Sequence, residues 1–281
     1  MKRLLRDRRA TVGAAVLALV GLAAVAAPLV SRGDPAAQHD IAATRFVRPF
    51  ATDAHGAFHP LGTDRFGRDV WTRLVYGARI SLGVGLLAVL LSVAVGVAVG
   101  AVAGYWGGPV RALLLGLTDF VLAVPRVVLL LLLAALWRPG ATLVIVVLGL
   151  TGWMSVARLV HAEVRSLAVR PFVEGARALG VARGRVLWRH ILPNALTPVI
   201  VAAALGVGNA IMLEAGLSFL GLGVQPPTPS WGNMIASGRD TLVNAPWVAT
   251  VPGVALVVVV VACTLLGDAV QDALEPTRGR G

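Results

Sequence analysis

The sequence PFVEGARALGVARGRVLWRHILPN, residues 171–194, divides an otherwise apolar region and predicts a pair of short helices. Pro171 suits a first helical position because its φ angle is fixed near the helical value, and Gly180 can adopt the left-handed conformation that ends a helix. Three apolar residues at helical spacing predict one stripe on this first helix: Phe172, Ala176 and Leu179.

The rest of this segment predicts a second helix, from about residue 181 to residue 192, that ends before Pro193. Its apolar stripe is predicted to consist of Val186, Leu187 and Ile191. Its arginines point away from that stripe: Arg183, Arg185 and Arg189. An amphipathic pair of this kind between apolar segments is expected to lie on a membrane surface or to bind a partner.

The composition indicates an integral membrane protein. The 281 residues are 57% hydrophobic and 14% charged, with a mean hydropathy of +0.80, whereas a soluble domain has about 45–50% apolar and about 25% charged residues. The net charge of +11 would suggest nucleic acid in a soluble chain. Here the basic residues lie in loops between apolar segments, so membrane topology explains them and no nucleic-acid partner is expected.

The residue types exclude several kinds of chemistry. Lys2 is the only lysine, and a phosphate-binding loop needs one, so the chain is not expected to hydrolyse ATP. The single Cys263 excludes an internal disulfide and a cysteine metal cluster. No HExxH or GxSxG motif is present, and the sequence predicts no catalytic residue and no metal ligands.

Six apolar segments predict six transmembrane helices and an all-α fold. A basic tail of residues 1–9 precedes the first span, residues 10–30, and an external loop of residues 31–79 follows it. The transmembrane domain of residues 80–276 holds the other five spans: residues 80–104, 112–136, 141–160, 195–217 and 247–266. Residues 277–281 form a short tail.

A cleaved signal peptide is the alternative for the first apolar segment. Its apolar part is about 20 residues long, against about 7–15 in a signal peptide, and more spans follow it. These two features favour a spanning helix.

The end of the external loop predicts an interfacial helix. Asp69 is a plausible N-cap for residues 70–76, where Trp71 and Tyr76 suit the lipid interface. The carboxylates of Asp64 and Asp69 are predicted to cap and to form salt bridges rather than to act as a catalytic pair.

The distribution of basic residues predicts the orientation. Six spans place both termini on one side, and a cytoplasmic N-terminus puts fifteen basic residues inside and nine outside. The external loop conflicts with this rule, because Arg65, Arg68, Arg73 and Arg79 lie close to the second span. The basic tail and the helix pair are separated by four spans and share a side, and this parity favours a cytoplasmic location for both.

Two features within the spans predict contacts between helices. Glycines recur every fourth residue on one face of the second span, at Gly96, Gly100 and Gly104, and such a face lets another helix approach closely. Four polar residues interrupt the spans: Asp119, Arg126, Asn209 and Glu214. Asp119 and Arg126 are seven residues apart and are expected to share a face. These residues either line a transport pathway or pair with neighbouring helices.

The helix pair favours a protein partner over a lipid surface. Glu174 stands near Arg177 in the first helix, whereas a lipid-binding helix has basic residues along its whole polar face. Gly180 also fixes an angle between the two helices, and a fixed angle suits a shaped groove better than a fluid surface.

Four segments resemble the permeases of binding-protein-dependent ABC importers. Residues 153–194 resemble the EAA loop of those permeases at Glu174, Ala176, Gly180, Ile191 and Pro193. Three other segments are similar to the dipeptide, oligopeptide and nickel permeases, and match the C-type subunit of that group: HPLGTDRFGRDVWTRLVYGARISL (59–82), LSFLGLGVQPPTPSWGNMI (217–235) and LLGDAVQDALEP (265–276). Two departures stand out. Gly175 replaces an alanine of the loop, and Cys263 and Thr264 replace an aromatic residue and an asparagine.

The resemblance implies a type I ABC importer permease in the inner membrane of a bacterium. It implies a second, B-type permease subunit, two ATPase subunits that use ATP and Mg²⁺, an extracytoplasmic solute-binding protein and surrounding lipid, with no cofactor bound by this chain. The residues that it implies for coupling to the ATPase are Phe172, Glu174, Gly175, Ala176, Arg177, Leu179, Gly180 and Val181. Peptide is the expected solute, and nickel or another small solute is the alternative.

An ion-coupled secondary transporter is the alternative from a different class. Asp119, Arg126 and Glu214 are the residues that would hold ions or protons in it. It predicts transport that follows an ion gradient without ATP, and it gives no role to the helix pair.

Overall fold

The computed structural model describes residues 7–274, apart from residues 32 and 39 and from the side chains of residues 126, 127, 130, 134 and 135. The predicted tail of residues 277–281, most of the predicted tail of residues 1–9 and the side chain of Arg126 therefore lie outside the described part. Within that part the protein is mostly helical.

Five helices are long and apolar enough to cross a membrane. They are α1 (Arg8–Val25), α4 (Val70–Trp106), α7 (Ala141–Leu167), α11 (Thr197–Phe219) and α13 (Trp247–Leu274). They correspond to the first, second, fourth, fifth and sixth predicted spans. Three of them, α4, α7 and α13, extend at least seven residues beyond the predicted apolar segments at one end, because polar residues at helix ends can lie outside the hydrocarbon and continue the helix.

The third predicted span is two helices, α5 (Gly108–Leu122) and α6 (Arg126–Leu136). Pro125 separates them, since proline lacks a backbone N–H and disfavours helical conformation in the residue before it. The six predicted segments thus appear as five continuous helices and one broken pair.

The remaining elements are short and lie at the two ends of the bundle. The helices are α2 (Ala27–Val30), α3 (Ile41–Thr44), α8 (Pro171–Ala178), α9 (Arg183–Arg185), a π-helix (Val186–Ile191), α10 (Leu192–Ala195), α12 (Trp231–Gly238) and a 3₁₀ helix (Arg239–Thr241). Strands β1 (Ala51–Thr52) and β2 (Phe58–His59) form one antiparallel hairpin. We call the end that carries α8 the α8 end and the end that carries β1 and β2 the loop end.

The prediction of a separate interfacial helix over residues 70–76 is wrong. Those residues are the first two turns of α4, which is continuous over 37 residues. No proline interrupts it, and its Gly77 is buried beside Trp231, so a single glycine does not end the helix. A helix of this length is about 55 Å long and exceeds a hydrocarbon layer of about 30 Å.

The predicted glycine face of α4 is the surface that packs against α7. A β-carbon added at Gly96 would lie 2.6 Å from Cβ of Val156, and one at Gly104 would lie 2.9 Å from the carbonyl oxygen of His161. At Gly100 it would collide with the carbonyl oxygen of Ala157. The prediction of a close helix approach is confirmed, because no side chain larger than hydrogen fits at these positions without a shift.

The reverse side of the same contact also uses small residues. Gly149 and Gly152 of α7 face Leu91 and Ser92 of α4. The Ser92 hydroxyl donates to the carbonyl oxygen of Gly149 at 3.1 Å, a hydrogen bond that satisfies a polar group within the membrane. The two helices therefore interlock over most of their shared length.

The loop between α2 and α4 is anchored by buried charges. Arg68 forms an ion pair with Asp64 at 2.7 Å, and both side chains are almost fully buried. The indole N–H of Trp247 donates to the carbonyl oxygen of Thr63 at 3.1 Å, which ties the loop to α13. Asp69 accepts a hydrogen bond from the backbone N–H of Thr72 and caps α4, as predicted. The predicted capping and salt-bridge roles of Asp64 and Asp69 are thus confirmed.

A histidine joins the hairpin to this cap. The ring of His59 lies 2.9 Å from Asp69 and 3.2 Å from Asp53. Burial alone would raise the pKa of Asp53, but the N–H of Ala57, the ring of His59 and the N–H of His55 outweigh it, so that this pKa lies below its ordinary value. At pH values above the ordinary pKa of an aspartate, these contacts to the Asp53 carboxylate stabilise the loop. This stabilisation is lost as the pH falls through the lower pKa that Asp53 has in the folded protein.

We expect Gly100→Ala to destabilise the subunit by about 1–3 kcal/mol, because overpacking a tight contact costs energy of this order. Gly83→Ala on the same helix is the matched control, since its β-carbon would meet nothing within 4 Å. Thermal unfolding of the purified complex measures both. Equal unfolding temperatures for the two variants would contradict the role of the glycine face.

Candidate functional site

The first predicted helix of the pair is present as α8. It follows α7 after a turn of three residues, and Pro171 occupies its N-terminal turn. Gly180 has a φ of 76°, and its N–H donates to the carbonyl oxygen of Arg177 at 3.0 Å. The predicted glycine end of this helix is therefore confirmed, since the left-handed region is open to glycine at little cost.

The apolar residues of α8 divide between two faces, and here the predicted stripe is partly wrong. Val173 is fully buried and Ala176 nearly so, whereas Phe172 is 47% exposed and Leu179 is 86% exposed. Val173, which is larger than Ala176, faces the core. Ala176 faces the core as well, because residues three apart lie on one face of a helix. Of the predicted stripe, Phe172 and Leu179 are thus exposed.

The inner face of α8 packs into a continuous core at the α8 end. Val173 and Ala176 belong to one cluster with residues of α7, the π-helix and α4, including Val160, Val164, Leu187, Ile191 and Ala101. This packing fixes α8 to the helix that precedes it and to the segment that follows it.

The charged residues of α8 have different surroundings. The guanidinium of Arg177 lies 5.4 Å from the centre of the Tyr105 ring, at the end of α4, within the range of a cation–π contact. Glu174 is exposed and forms no ion pair with the described residues. Val181 is partly buried against the same core as Val173. Arg177 and Val181 thus hold α8 in place, and Glu174 remains available at the surface.

The two departures from the family pattern have different explanations. A β-carbon at Gly175 would meet nothing within 4 Å, so no steric contact in this chain requires glycine there. Cys263 is buried on α13, and its Cβ lies 3.0 Å from the place of a β-carbon on Gly208 of α11. A larger residue at that contact would push α13 and α11 apart. The Thr264 hydroxyl donates to the carbonyl oxygen of Val260 in its own helix.

The second predicted helix differs from its prediction. It is α9 followed by the π-helix, and the chain continues through Pro193 into α10 instead of ending before it. Pro193 stands at the junction of the π-helix and α10, and its missing N–H removes one helical hydrogen bond there. The predicted stripe is confirmed, since Val186, Leu187 and Ile191 are all fully buried.

The sequence analysis missed one exposed aromatic residue beside the arginines. Trp188 is 56% exposed, between the exposed Arg185 and Arg189. The sequence could have indicated this residue, because Trp188 stands between two arginines on the predicted polar face of the helix. Large aromatic side chains are enriched where proteins bind one another.

The polar residues within the spans do not form one site. Glu214 is fully buried, and its carboxylate accepts hydrogen bonds from Ser218 at 2.6 Å and from Ser81 at 2.9 Å. Ser81 in turn accepts a hydrogen bond from the N–H of Trp231. Glu214 therefore joins α11, α4 and α12. Of the two roles predicted for it, lining a pathway or pairing with neighbouring helices, this is the second.

Asp119 and Asn209 have separate positions. Asp119 forms an exposed ion pair with Arg158 of α7, which again matches the pairing alternative. The sequence predicts that Asp119 and Arg126 share one face of a helix. They lie instead on two helices, α5 and α6, because the chain breaks between them at Pro125. Asn209 lines a cavity of about 380 Å³ between α4, α7 and α11. No group of His, Cys, Asp and Glu that could hold a metal ion occurs among the described residues.

Two protein-family models match this chain. The model described as binding-protein-dependent transport system inner membrane component matches residues 96–280. The model described as the N-terminal transmembrane domain of oligopeptide transport permease C matches residues 1–49.

Curated relatives are similar over almost their whole length. The dipeptide transport system permease protein DppC of Alkalihalophilus pseudofirmus is 38% identical over 98% of this chain and 88% of its own. The probable peptide ABC transporter permease protein y4tQ of Sinorhizobium fredii is 44% identical over 95% and 89%. The DppC protein of Haemophilus influenzae is 35% identical over 96% and 91%.

Solved structures share the fold at low sequence identity. An inward-facing structure of the MetNI methionine ABC transporter aligns with a TM-score of 0.58 and 19% identity, covering 72% of this chain and 96% of that chain. An amino acid ABC transporter determined with histidines aligns with a TM-score of 0.54 and 17% identity, covering 70% and 91%.

Two substitutions, one in α8 and one just after it, should have opposite effects on the stability of this helix. Gly175→Ala should stabilise the helix by up to about 1 kcal/mol, because alanine favours a helix interior and has free space there. Gly180→Ala should destabilise its end by about 1–2 kcal/mol, because alanine is strained at positive φ. Hydrogen exchange of residues 171–182 in the purified complex should slow in the first variant and quicken in the second. Equal rates in both would show that Gly180 does not set the end of α8.

Proposed function

The chain belongs to the family of binding-protein-dependent transport inner membrane components, and on that premise we propose that it is the C-type permease subunit of an ATP-driven peptide importer. Its fold is that of a type I ABC importer permease, and it is a multi-pass inner membrane protein. A permease subunit is not itself catalytic. The observation that carries the peptide assignment is the naming of relatives 35–44% identical over nearly the full chain as dipeptide or peptide permeases.

In this proposal the chain forms half of a translocation pathway and a B-type permease subunit forms the other half. Two ATPase subunits bind ATP and Mg²⁺ in the cytoplasm, and an extracytoplasmic binding protein delivers the solute at the loop end. The α8 end and both termini then lie in the cytoplasm, which agrees with the excess of basic residues at that end.

The exposed face of α8 supports its role as the ATPase contact. Phe172 and Leu179 expose large apolar side chains, and residues of this kind gain free energy when a partner removes them from water. Glu174 is exposed beside them and can accept hydrogen bonds from a basic or amide group of the ATPase. Gly175 leaves open space next to Glu174, so a partner can approach the α8 backbone closely.

The packing of α8 supports a rigid transmission of movement. Its inner face belongs to the same core as α7, and α7 is interlocked with α4 through Gly96, Gly100 and Gly104. A displacement of α8 by the ATPase therefore moves α7 and α4 together. Since both helices line the cavity that contains Asn209, this movement changes access to the pathway, as in other rigid-body transitions.

The ion-coupled alternative receives less support from the polar residues. Glu214 is enclosed by hydroxyl groups, and Asp119 pairs with Arg158. Both have structural roles that need no transported ion.

We expect Glu174→Lys to reduce peptide uptake at least about tenfold, because reversing one member of a buried charge pair at an interface costs about 2–5 kcal/mol. The amount of subunit inserted in the membrane should not change, since Glu174 has no ion pair within the described chain. Uptake of a labelled dipeptide into proteoliposomes containing the complete complex measures this.

Asp268→Lys is the matched control for that variant. Asp268 is an exposed carboxylate of α13 that lies outside α8 and has no ion pair with the described residues, so the same charge reversal there should leave ATP-driven uptake intact. Normal uptake by Glu174→Lys would remove α8 from the coupling mechanism.

Uptake by the wild-type complex distinguishes an ATP-driven peptide importer from a nickel importer and from an ion-coupled transporter. With its binding protein outside and ATP inside, the complex should accumulate a labelled dipeptide, and accumulation should stop without ATP. A binding protein that retains Ni²⁺ and no peptide would favour the nickel alternative. Peptide uptake driven by a proton gradient without ATP would contradict the proposal and favour a secondary transporter.

A further inference from the structure

The cavity between α4, α7 and α11 has an uncharged wall in which alanine and glycine alternate with larger apolar side chains. It has a volume of about 380 Å³. Its polar lining residues are Ser92, Ser155 and Asn209, its smallest are Ala88, Gly152, Ala202, Ala203, Gly206 and Ala210, and its larger apolar ones are Val89, Val93, Leu148, Val156, Leu159 and Leu213. The lining contains no charged residue.

The polar residues of this cavity lie near the middle of their helices. Asn209 is the thirteenth of the 23 residues of α11, so it lies about 18 Å from the start and about 15 Å from the end of that helix. Ser155 is the fifteenth of the 27 residues of α7. Both therefore lie within the apolar part of their helices, where an unpaired polar group is costly.

The two side chains differ from Ser92 in their hydrogen bonding. The Ser92 hydroxyl already donates to α7 backbone carbonyls. Asn209 and Ser155 are exposed to the cavity, and neither side chain has a hydrogen-bond partner among the described residues. They require a partner that the chain itself does not supply.

We propose that Asn209 and Ser155 hydrogen-bond to the main-chain amide groups of a peptide as it crosses the membrane. This inference rests on the proposed function and specifies its chemistry. The carboxamide of Asn209 offers both N–H donors and a carbonyl acceptor, and these match the N–H and C=O groups of a peptide bond.

The rest of the wall explains why the main chain is the recognised part. A lining without charges does not select between acidic and basic peptide side chains, and the alanines and glycines leave space for side chains of different sizes. A free divalent metal ion would find neither carboxylate nor imidazole nor thiolate in this wall, and these are the ligands that such ions prefer. The wall therefore suits short peptides of varied sequence.

Uptake of trialanine by the reconstituted complex tests the proposal. Asn209→Leu, which keeps the size but removes the hydrogen bonds, should lower the uptake rate about tenfold, the effect of losing about 1.4 kcal/mol. Asn209→Gln should restore part of the rate, and Ser155→Ala should have a smaller effect than Asn209→Leu. Met212→Leu is the control, because Met212 is exposed on the same helix and is not part of the cavity lining.

Thiol labelling provides a readout that does not depend on transport rate. In a Cys263→Ala background, N-ethylmaleimide should modify Asn209→Cys, and trialanine should slow the modification. Trialanine should not protect Met212→Cys. Wild-type uptake by Asn209→Leu, or labelling of Asn209→Cys that trialanine does not change, would overturn the inference.

Two further results distinguish a failure of this inference about Asn209 from a failure of the proposed transport function. If Asn209→Leu no longer co-purifies with the B-type subunit, Asn209 is a contact between permease subunits and the inference is wrong. If the wild-type complex does not take up trialanine or any other peptide, the proposed function fails and this inference fails with it. Peptide uptake by wild type with full activity of Asn209→Leu overturns the inference alone.

Discussion

The close approach of α4 and α7 is the contact on which the rest of the structure depends. Hydrogen is the only side chain that fits at Gly96, Gly100 and Gly104, so the two backbones meet along one face. In lipid there is no hydrophobic force to bring helices together, and close packing of small residues takes its place. Because α7 leads directly into α8, this contact links the surface helix to the centre of the membrane.

The two faces of α8 divide its work between structure and binding. Val173 and Ala176 give the helix a fixed seat on the core, while Phe172, Glu174 and Leu179 remain at the surface. A surface helix with only one apolar face could use that face either to pack against the core of its own chain or to bind a partner, but not both. The division of α8 into two apolar faces lets an external force act on a helix that does not detach from the bundle.

The polar groups within the spans also divide into two kinds. Glu214, Ser81 and Ser218 satisfy one another, and the N–H of Trp231 adds α12 to α4 and α11 in this network. Asn209 and Ser155 face a cavity within the membrane and have no partner among the described residues. The first group behaves as part of the core, and the second leaves hydrogen-bonding capacity for a molecule that enters the cavity.

The sequence by itself determined the membrane class, the spans, the glycine face and the end of α8 at Gly180. Each of these follows from local chemistry: apolar length, the absence of a side chain, or a backbone angle that glycine allows. Tertiary packing decided that residues 70–76 continue into α4, that Ala176 turns inward with Val173, and that the chain passes through Pro193. It also decided that Glu214 joins helices while Asn209 faces a cavity. A polar residue in an apolar segment looks the same in either role, because its partner lies on another helix that only the folded chain brings near.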